Sequence, residues 1–97
     1  MVKRIVRMHF YPEQTGMFEK IFDASKDKIM ASKGCIGLEL YTDLSQPEIY
    51  YTWSTWQTEE DLQLYRNSEL FKNTWKKTKI LFKEKAVAWT LNPHDHL

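Results

Sequence analysis

Apolar and polar side chains alternate at the start of this chain. Between residues 2 and 11 the two-residue period predicts a strand with one buried face, which Pro12 ends. Apolar residues at three- and four-residue spacing then predict a helix from Thr15 to Gly34, where a basic last turn meets a glycine. One parity of the strand holds Val2, Val6, Met8 and Phe10, with Arg4 between them, and the other holds Lys3, Ile5, Arg7 and His9.

The remaining sequence repeats these two patterns. A run of turn formers, residues 43–47, separates two alternating segments and predicts a hairpin. Thr58 precedes three acidic residues and Ser68 precedes a second amphipathic run, so each residue is expected to cap a helical segment. The predicted elements are strands at residues 35–42, with Ile36, Leu38 and Leu40 on one parity, at 48–57 and at 83–91, and helices after Thr58 and Ser68.

The order of these elements predicts the fold. A β-α-β-β-α-β chain with right-handed crossovers forms an α+β, ferredoxin-like domain whose four-stranded antiparallel sheet carries its helices on one face. The other face would expose more large apolar side chains than a soluble monomer usually shows. We therefore predict a homodimer in which two sheets face each other as a dimeric α/β barrel. The expected interface contains Ile5, Arg7, His9, Tyr51, Trp53 and Trp89, with Glu39 or Glu48 as polar partners of Arg7 and His9.

Composition narrows the class of protein. The chain has 97 residues, 42% of them hydrophobic, which fits one globular domain at residues 1–93 with a flexible tail at residues 94–97. A formal net charge of +1 provides no field for nucleic acid or an anionic membrane, and no apolar run reaches the roughly 20 residues of a bilayer span. Cys35 is the only cysteine, so an internal disulfide is excluded and a cytoplasmic location is expected.

Three polar clusters have simpler explanations than a functional site. Lys72, Lys76 and Lys79 follow helical spacing, which indicates a solvated helix face and not a nucleic-acid site. The acids at residues 59–61 are explained by the helix N-terminus that they begin. The two histidines within residues 94–96 lack further ligands, so no metal site is predicted.

Residues 50–74, YYTWSTWQTEEDLQLYRNSELFKNT, resemble the core motif of the antibiotic biosynthesis monooxygenase family. In that family a strand ends in a Trp before a capped helix, and a second segment combines a small residue, an acid, an apolar residue and Phe. Trp56, the cap at residues 58–61 and the segment 68–71 stand at the matching positions. The resemblance extends to the element order of residues 2–91 and implies a dimeric α+β barrel.

The resemblance also implies an activity. Members of the family include cofactor-independent monooxygenases of small aromatic, quinol-like compounds. This chemistry requires an apolar pocket for a flat ring, donors for a phenolate and access for dioxygen. No catalytic residue is assigned and no cofactor is expected. The expected substrate-binding residues are Trp56, carried over from the family, Tyr65 and Trp75 on the helices, and Tyr50, Thr52 and Ser54 on the parity of Trp56.

Two alternative functions stay open. In the first, the protein is a non-catalytic small-molecule-binding or stress-associated barrel and the aromatic side chains only form its core. In the second, it binds or degrades haem. Haem-degrading relatives need an Asn, a Trp and a His at positions that fall here near residues 6–8, at Tyr65 and at Trp75, and none of the three matches. Because an indole nitrogen has no lone pair for iron, haem chemistry is disfavoured.

Overall fold

The computed structural model describes residues 1–94, which form four strands and three helices. The predicted element order is confirmed, including the break between the last two helices. The predicted tail lies outside the described residues from position 95 onward. The elements are β1 (Val2–Phe10), a single 3-10 turn (Pro12–Gln14), α1 (Thr15–Met30), β2 (Cys35–Thr42), β3 (Ile49–Trp56), α2 (Glu59–Arg66), α3 (Glu69–Lys79) and β4 (Phe82–Leu91).

The sheet has the order β2-β3-β1-β4, and every neighbouring pair is antiparallel. This is the predicted ferredoxin-like arrangement. In the central pair, Val6 lies opposite Thr52 and Met8 opposite Tyr50, so these side chains share one face. That face packs on the helices, since Met8 and Tyr50 form a buried cluster with Phe18 of α1. Within residues 1–94, no helix has the length and apolar character that a membrane crossing requires.

Two hydroxyl side chains begin the paired helices as the sequence predicts. The Thr58 Oγ1 atom accepts the backbone N–H of Asp61 at 3.1 Å, and the Ser68 Oγ atom accepts that of Phe71 at 3.1 Å. Each bond satisfies a backbone donor that the first helical turn leaves unpaired. The caps therefore define where α2 and α3 begin.

The end of α1 differs from the prediction. The helix stops at Met30, before the expected glycine, and residues 31–34 form a turn. Gly34 adopts a φ of 79°, in the left-handed region that favours glycine. A Cβ atom at this position would overlap the side chain of Asp61. Gly34 is thus required by its backbone and by the close approach of α2, and it aligns the start of β2 instead of capping α1.

The start of β2 also contradicts one expectation. Ile36 is predicted to share the buried parity of Leu38 and Leu40, but the register of β2 shifts between Cys35 and Gly37. This irregularity turns Ile36 outward, with 46% of its surface exposed, and brings Cys35 against the cluster of Trp56. One extra residue in a strand reverses the faces on either side of it, which the alternation alone does not reveal.

The sheet face away from the helices carries the predicted interface residues. Ile5, Tyr51 and Trp53 are half-buried, and Trp89 is 44% exposed. Ile5 lies opposite both Trp53 on β3 and Trp89 on β4, so the three side chains form one apolar patch. Val87 and Leu91 extend this patch along β4 and are also exposed.

His9 differs from the rest of this face because the protomer itself buries it. Its Nδ1 atom lies 2.6 Å from Glu84 Oε1, and its Nε2 atom lies 3.9 Å from Glu48 Oε1. Glu48 is one of the two partners that the sequence suggests, whereas Glu39 accepts a hydrogen bond from Tyr41. The Nδ1 atom of His9 is thus paired within one chain, whereas its buried Nε2 atom has no hydrogen-bond partner among the described residues.

Candidate functional site

A cavity of about 90 Å³ lies between the helices and the sheet. Apolar and aromatic side chains make up most of its wall, interrupted by short hydroxyl side chains. The sheet contributes Arg4, Val6, Met8, Leu38, Thr52, Ser54 and Trp56, and the helices contribute Phe18, Ile21, Phe22, Ser25, Ile29, Tyr65, Phe71, Thr74, Trp75 and Thr78. Five of the six predicted substrate-binding residues thus line one space, although they come from β3, α2 and α3.

Trp56 forms the back of the cavity and is completely buried. Its indole N–H donates to Ser54 Oγ at 3.0 Å, and the Ser54 hydroxyl lies 3.5 Å from the carbonyl oxygen of Arg4. The indole N–H of Trp56 and the hydroxyl of Ser54 are therefore both hydrogen-bonded within the protein. Their geometry indicates a structural wall, and it leaves no free donor of either residue for a ligand.

The helical wall of the cavity is a series of aromatic rings. Tyr65 stacks on Trp56 with centroids 4.9 Å apart and contacts Phe71 edge-on at 5.3 Å. Phe71 lies parallel to Trp75 at 6.0 Å, and Trp75 contacts Phe82 edge-on. Tyr65 and Trp75 are only half-buried, so they present ring surface to the cavity.

Besides donors of Arg4, four polar side-chain atoms of the cavity wall have no hydrogen-bond partner among residues 1–94. They are the hydroxyls of Tyr65, Thr52 and Thr74 and the indole nitrogen of Trp75. Burial raises the pKa of Tyr65 to about 12, with the neighbouring Arg4 acting in the opposite direction. The Tyr65 hydroxyl is therefore protonated at neutral pH and acts as a donor, not as a base.

Tyr50 is the predicted site residue that the structure places elsewhere. It shares the face of Thr52, but its ring packs between Phe10 and Phe18 at centroid distances of 5.7 and 5.1 Å. Its hydroxyl donates to Glu19 on α1. Burial, together with this carboxylate, raises the pKa of Tyr50 to about 12. Tyr50 belongs to the packed core and does not line the cavity.

Arg4 is the wall residue that the sequence analysis leaves unassigned. It is half-buried on β1, and its Nη1 atom donates to Thr90 Oγ1 on β4 at 3.3 Å. Burial, and then the charge of Arg66, lower the pKa of the Arg4 guanidinium. The available signal was a cation between Val2 and Val6 on the apolar parity of the first strand.

A groove of about 550 Å³ adjoins the cavity between α1 and α3. The two spaces share Ile21, Ser25 and Thr74 in their walls. Three lysines line the groove, and no acidic residue does so within residues 1–94. These lysines are Lys20, Lys28 and Lys77.

The side chains of the site can be compared with the ligands that haem iron would need. Within residues 1–94, no three His, Cys, Asp or Glu side chains converge in a way that would hold a metal ion. The cavity wall of the described chain contains neither His nor Cys. Tyr65 and Trp75 stand where a haem-degrading relative would need a Trp and a His. Neither side chain supplies the neutral nitrogen ligand that haem iron takes from histidine.

Comparisons with known proteins agree with this fold. The family model described as "Antibiotic biosynthesis monooxygenase" matches residues 1–77. A conserved protein from Methanosarcina mazei Go1 is 18% identical, with a TM-score of 0.92 over 96% of this chain and 92% of that one. A structure described as an antibiotic biosynthesis monooxygenase is 15% identical, with a TM-score of 0.90 over 97% and 99% of the two chains.

A protein from Mycobacterium tuberculosis is 20% identical to this chain, with a TM-score of 0.89 over 98% of this chain and 96% of that one. At such identities the likeness shows a shared fold and nothing about substrate. No curated protein matches the sequence.

Proposed function

Because this chain belongs to the antibiotic biosynthesis monooxygenase family, we propose that it is a monooxygenase that oxidises a small aromatic, quinol-like compound without a bound cofactor. The observation that carries the proposal is the aromatic cavity. Its wall offers a hydroxyl and an indole N–H, those of Tyr65 and Trp75, that bond to nothing else among residues 1–94. Donors without a protein partner in an apolar wall are typical of a site that binds a polar group on a flat ligand.

The chemistry would depend mainly on the substrate. A deprotonated quinol or anthrone supplies all the electrons that reduce dioxygen, so that one oxygen atom bonds to the ring carbon and the other leaves as water. The protein needs to hold the ring, to stabilise the anion and to exclude bulk water. The Tyr65 hydroxyl, protonated below its pKa of about 12, donates to the anionic oxygen. Trp75 and Phe71 provide the aromatic wall against which the ring would pack.

The size of the cavity limits how the substrate fits. An apolar cavity of about 150 Å³ is known to bind benzene, and this one has about 90 Å³. A bicyclic substrate would therefore extend into the groove between α1 and α3, or displace side chains of α3. Both routes pass Thr74, which borders the cavity and the groove.

Oxygen uptake tests this proposal. The purified protein is given a panel of naphthoquinols and anthrones in an oxygen electrode, with heat-denatured protein as the measure of autoxidation. We expect uptake with at least one substrate, and a loss of about tenfold in kcat/KM in Tyr65→Phe and in Trp75→Phe. Tyr50→Phe, which changes a tyrosine outside the cavity, is the matched control. Uptake equal to that of denatured protein throughout would contradict the proposal.

A non-catalytic binding protein is the second candidate. It is favoured by the small cavity volume and by the complete burial of Trp56, whose indole N–H is already bonded to Ser54. This candidate predicts that quinols and quinones bind stoichiometrically in calorimetric titration while dioxygen consumption stays at the autoxidation rate.

We also propose that two copies associate through the bare face of the sheet. The apolar patch of Ile5, Trp53 and Trp89 is continuous, and a second copy would cover it and complete a barrel. Sedimentation equilibrium should give a dimer that Trp53→Glu dissociates. Leu64→Glu, at an exposed position on α2, should leave the mass unchanged. A wild-type monomer at micromolar concentration would contradict the dimer.

A further inference from the structure

Arg4 is the only charged residue that lines the cavity within the described chain. No carboxylate of residues 1–94 lies within ion-pairing distance of its guanidinium. Among residues 1–94, the one side-chain hydrogen bond that it donates goes to the neutral hydroxyl of Thr90, at 3.3 Å. A guanidinium carries five N–H donors in a planar fork, so most of these donors have no partner among the described residues.

This arrangement has an electrostatic cost that no carboxylate among residues 1–94 offsets. Partial burial in an apolar wall removes water from the cation, and the second cation, Arg66, lies close enough to lower the pKa of Arg4 further. Arginine stays protonated under these conditions, so the site keeps its positive charge. Charged side chains are rarely removed from water completely unless they are paired. Arg4 is half-buried, has no acidic partner among the described residues and lines the cavity.

We propose that the cavity binds its aromatic ligand as an anion, with a phenolate or carboxylate oxygen of the ligand held by the guanidinium of Arg4. The inference rests on the proposed function and names the class of its substrate, an acidic aromatic compound. Arg4 and the Tyr65 hydroxyl then converge on the anionic oxygen while Trp75 and Phe71 hold the ring. For a quinol, this pairing favours the deprotonated form, which is the form that reacts with dioxygen.

A second source of positive charge lies nearby and must be separated from the first. Lys20, Lys28 and Lys77 line the groove, where solvent screens them more than it screens Arg4. If the anion were held there, the acidic end of the ligand would lie in the groove and not beside Arg4. The proposal assigns the anionic oxygen to Arg4, so a change at Lys77 should have little effect on affinity.

Binding of a matched pair of probes tests the assignment without any oxygenase assay. Naphthoate and its neutral counterpart naphthylmethanol carry the same ring, and calorimetry gives the affinity of each. We expect the wild type to bind naphthoate at least about tenfold more tightly. Arg4→Met should abolish that preference while leaving naphthylmethanol affinity within about twofold. Arg4→Lys should restore part of it, because the charge returns without the planar fork. Lys77→Met should keep the full preference.

Resonances of the Arg4 side chain give a second measurement that needs no variant. In nitrogen–proton correlation spectra, naphthoate should shift the Arg4 Nε–Hε signal at saturation, whereas naphthylmethanol should not. This measurement keeps the proposal testable if Arg4→Met does not fold. Equal affinities of the two probes for the wild type would overturn it, as would a preference that survives Arg4→Met or disappears in Lys77→Met.

The outcomes also separate this inference from the proposed oxygenase. A strong preference for naphthoate combined with no quinol-dependent oxygen uptake would contradict the oxygenase and support the anion site. Uptake with quinols combined with equal affinity for the two probes would contradict the anion site and support the oxygenase.

Discussion

The space between the helices and the sheet is tightly packed at one end, called here the closed end, and contains the cavity at the other, the open end. Both ends are rich in aromatic rings. At the closed end lies the aromatic core, formed by Met8, Phe10, Phe18, Tyr50 and Leu81. Its rings lie at centroid distances of 4.4 Å for Phe10–Phe18 and 5.1 Å for Phe18–Tyr50. At the open end, Tyr65 and Trp75 border the cavity. Because both ends contain several aromatic rings, the number of rings does not explain why only one end is packed.

The short side chains between the rings make the difference. Tyr50 and Thr52 are two residues apart on β3 and face the same helices, yet Tyr50 fills its place with a ring and Thr52 leaves space. Ser54, Thr74 and Ser25 are equally short and also line the cavity. Protein interiors pack to nearly crystalline density, so a stretch of hydroxyl side chains opposite large rings leaves a void.

The largest effect expected from this comparison is on stability at the closed end. Phe10 is completely buried and contacts Phe18, Tyr50 and Phe82. Phe10→Ala should lower the free energy of unfolding by about 3–5 kcal/mol, measured by urea denaturation. Phe71→Ala at the half-buried rim of the cavity should cost less than half as much. Equal losses in the two variants would contradict the distinction between a packed and an open end.

A smaller effect separates two hydroxyl residues of β3. Ser54→Ala leaves the buried indole N–H of Trp56 without an acceptor and should cost about 1–2 kcal/mol of unfolding free energy. Thr52→Val removes a hydroxyl without a partner in the described chain and should be neutral or slightly stabilising. Thermal unfolding monitored by circular dichroism compares the two. A larger loss of unfolding free energy in Thr52→Val than in Ser54→Ala would contradict the assignment of Ser54 as the hydrogen-bonded hydroxyl and Thr52 as the unbonded one.

Two tyrosines with equally raised pKa values sharpen the comparison further. Tyr50→Phe loses the hydrogen bond to Glu19 and should cost about 1 kcal/mol. Tyr65→Phe loses no hydrogen bond within residues 1–94 and should change stability by less than about 0.5 kcal/mol while weakening ligand binding. Chemical denaturation of both variants, with naphthoate titrations in parallel, gives the two readings. Weaker binding of naphthoate in Tyr50→Phe than in Tyr65→Phe would contradict a binding site beside Tyr65.

The last prediction concerns the pH dependence of stability. Tyr50 and Tyr65 have pKa values of about 12 in the folded protein, compared with an ordinary value of about 10. The folded state thus keeps two protons that the unfolded state has lost above pH ~10. Their contribution to stability is fully present below pH ~10 and decreases as the pH rises towards about 12. Spectrophotometric titration should show two tyrosines that ionise near pH 12 in the wild type and one in Tyr65→Phe.

Much of the fold follows from local patterns. Alternation predicted the strands, and helical spacing predicted the helices. The hydroxyls of Thr58 and Ser68 predicted where α2 and α3 begin, because a cap satisfies backbone donors within three residues of itself. The parity of β3 correctly placed Thr52, Ser54 and Trp56 on the helix side. These features depend on residues that are close together in the sequence, so they can be predicted without the tertiary structure.

The sequence by itself determined the element order, the helix-facing parity and the supply of aromatic rings. Only the tertiary structure decided how those groups pair. The shift at Ile36, the contact of Gly34 with Asp61 and the assignment of Tyr50 to the core all depend on residues distant along the chain. The lack of an acidic partner for Arg4 among residues 1–94 is the same kind of fact, because it is a property of the surroundings of Arg4 in space. Local periodicity specifies which face a side chain occupies, whereas packing density and charge pairing specify what it meets there.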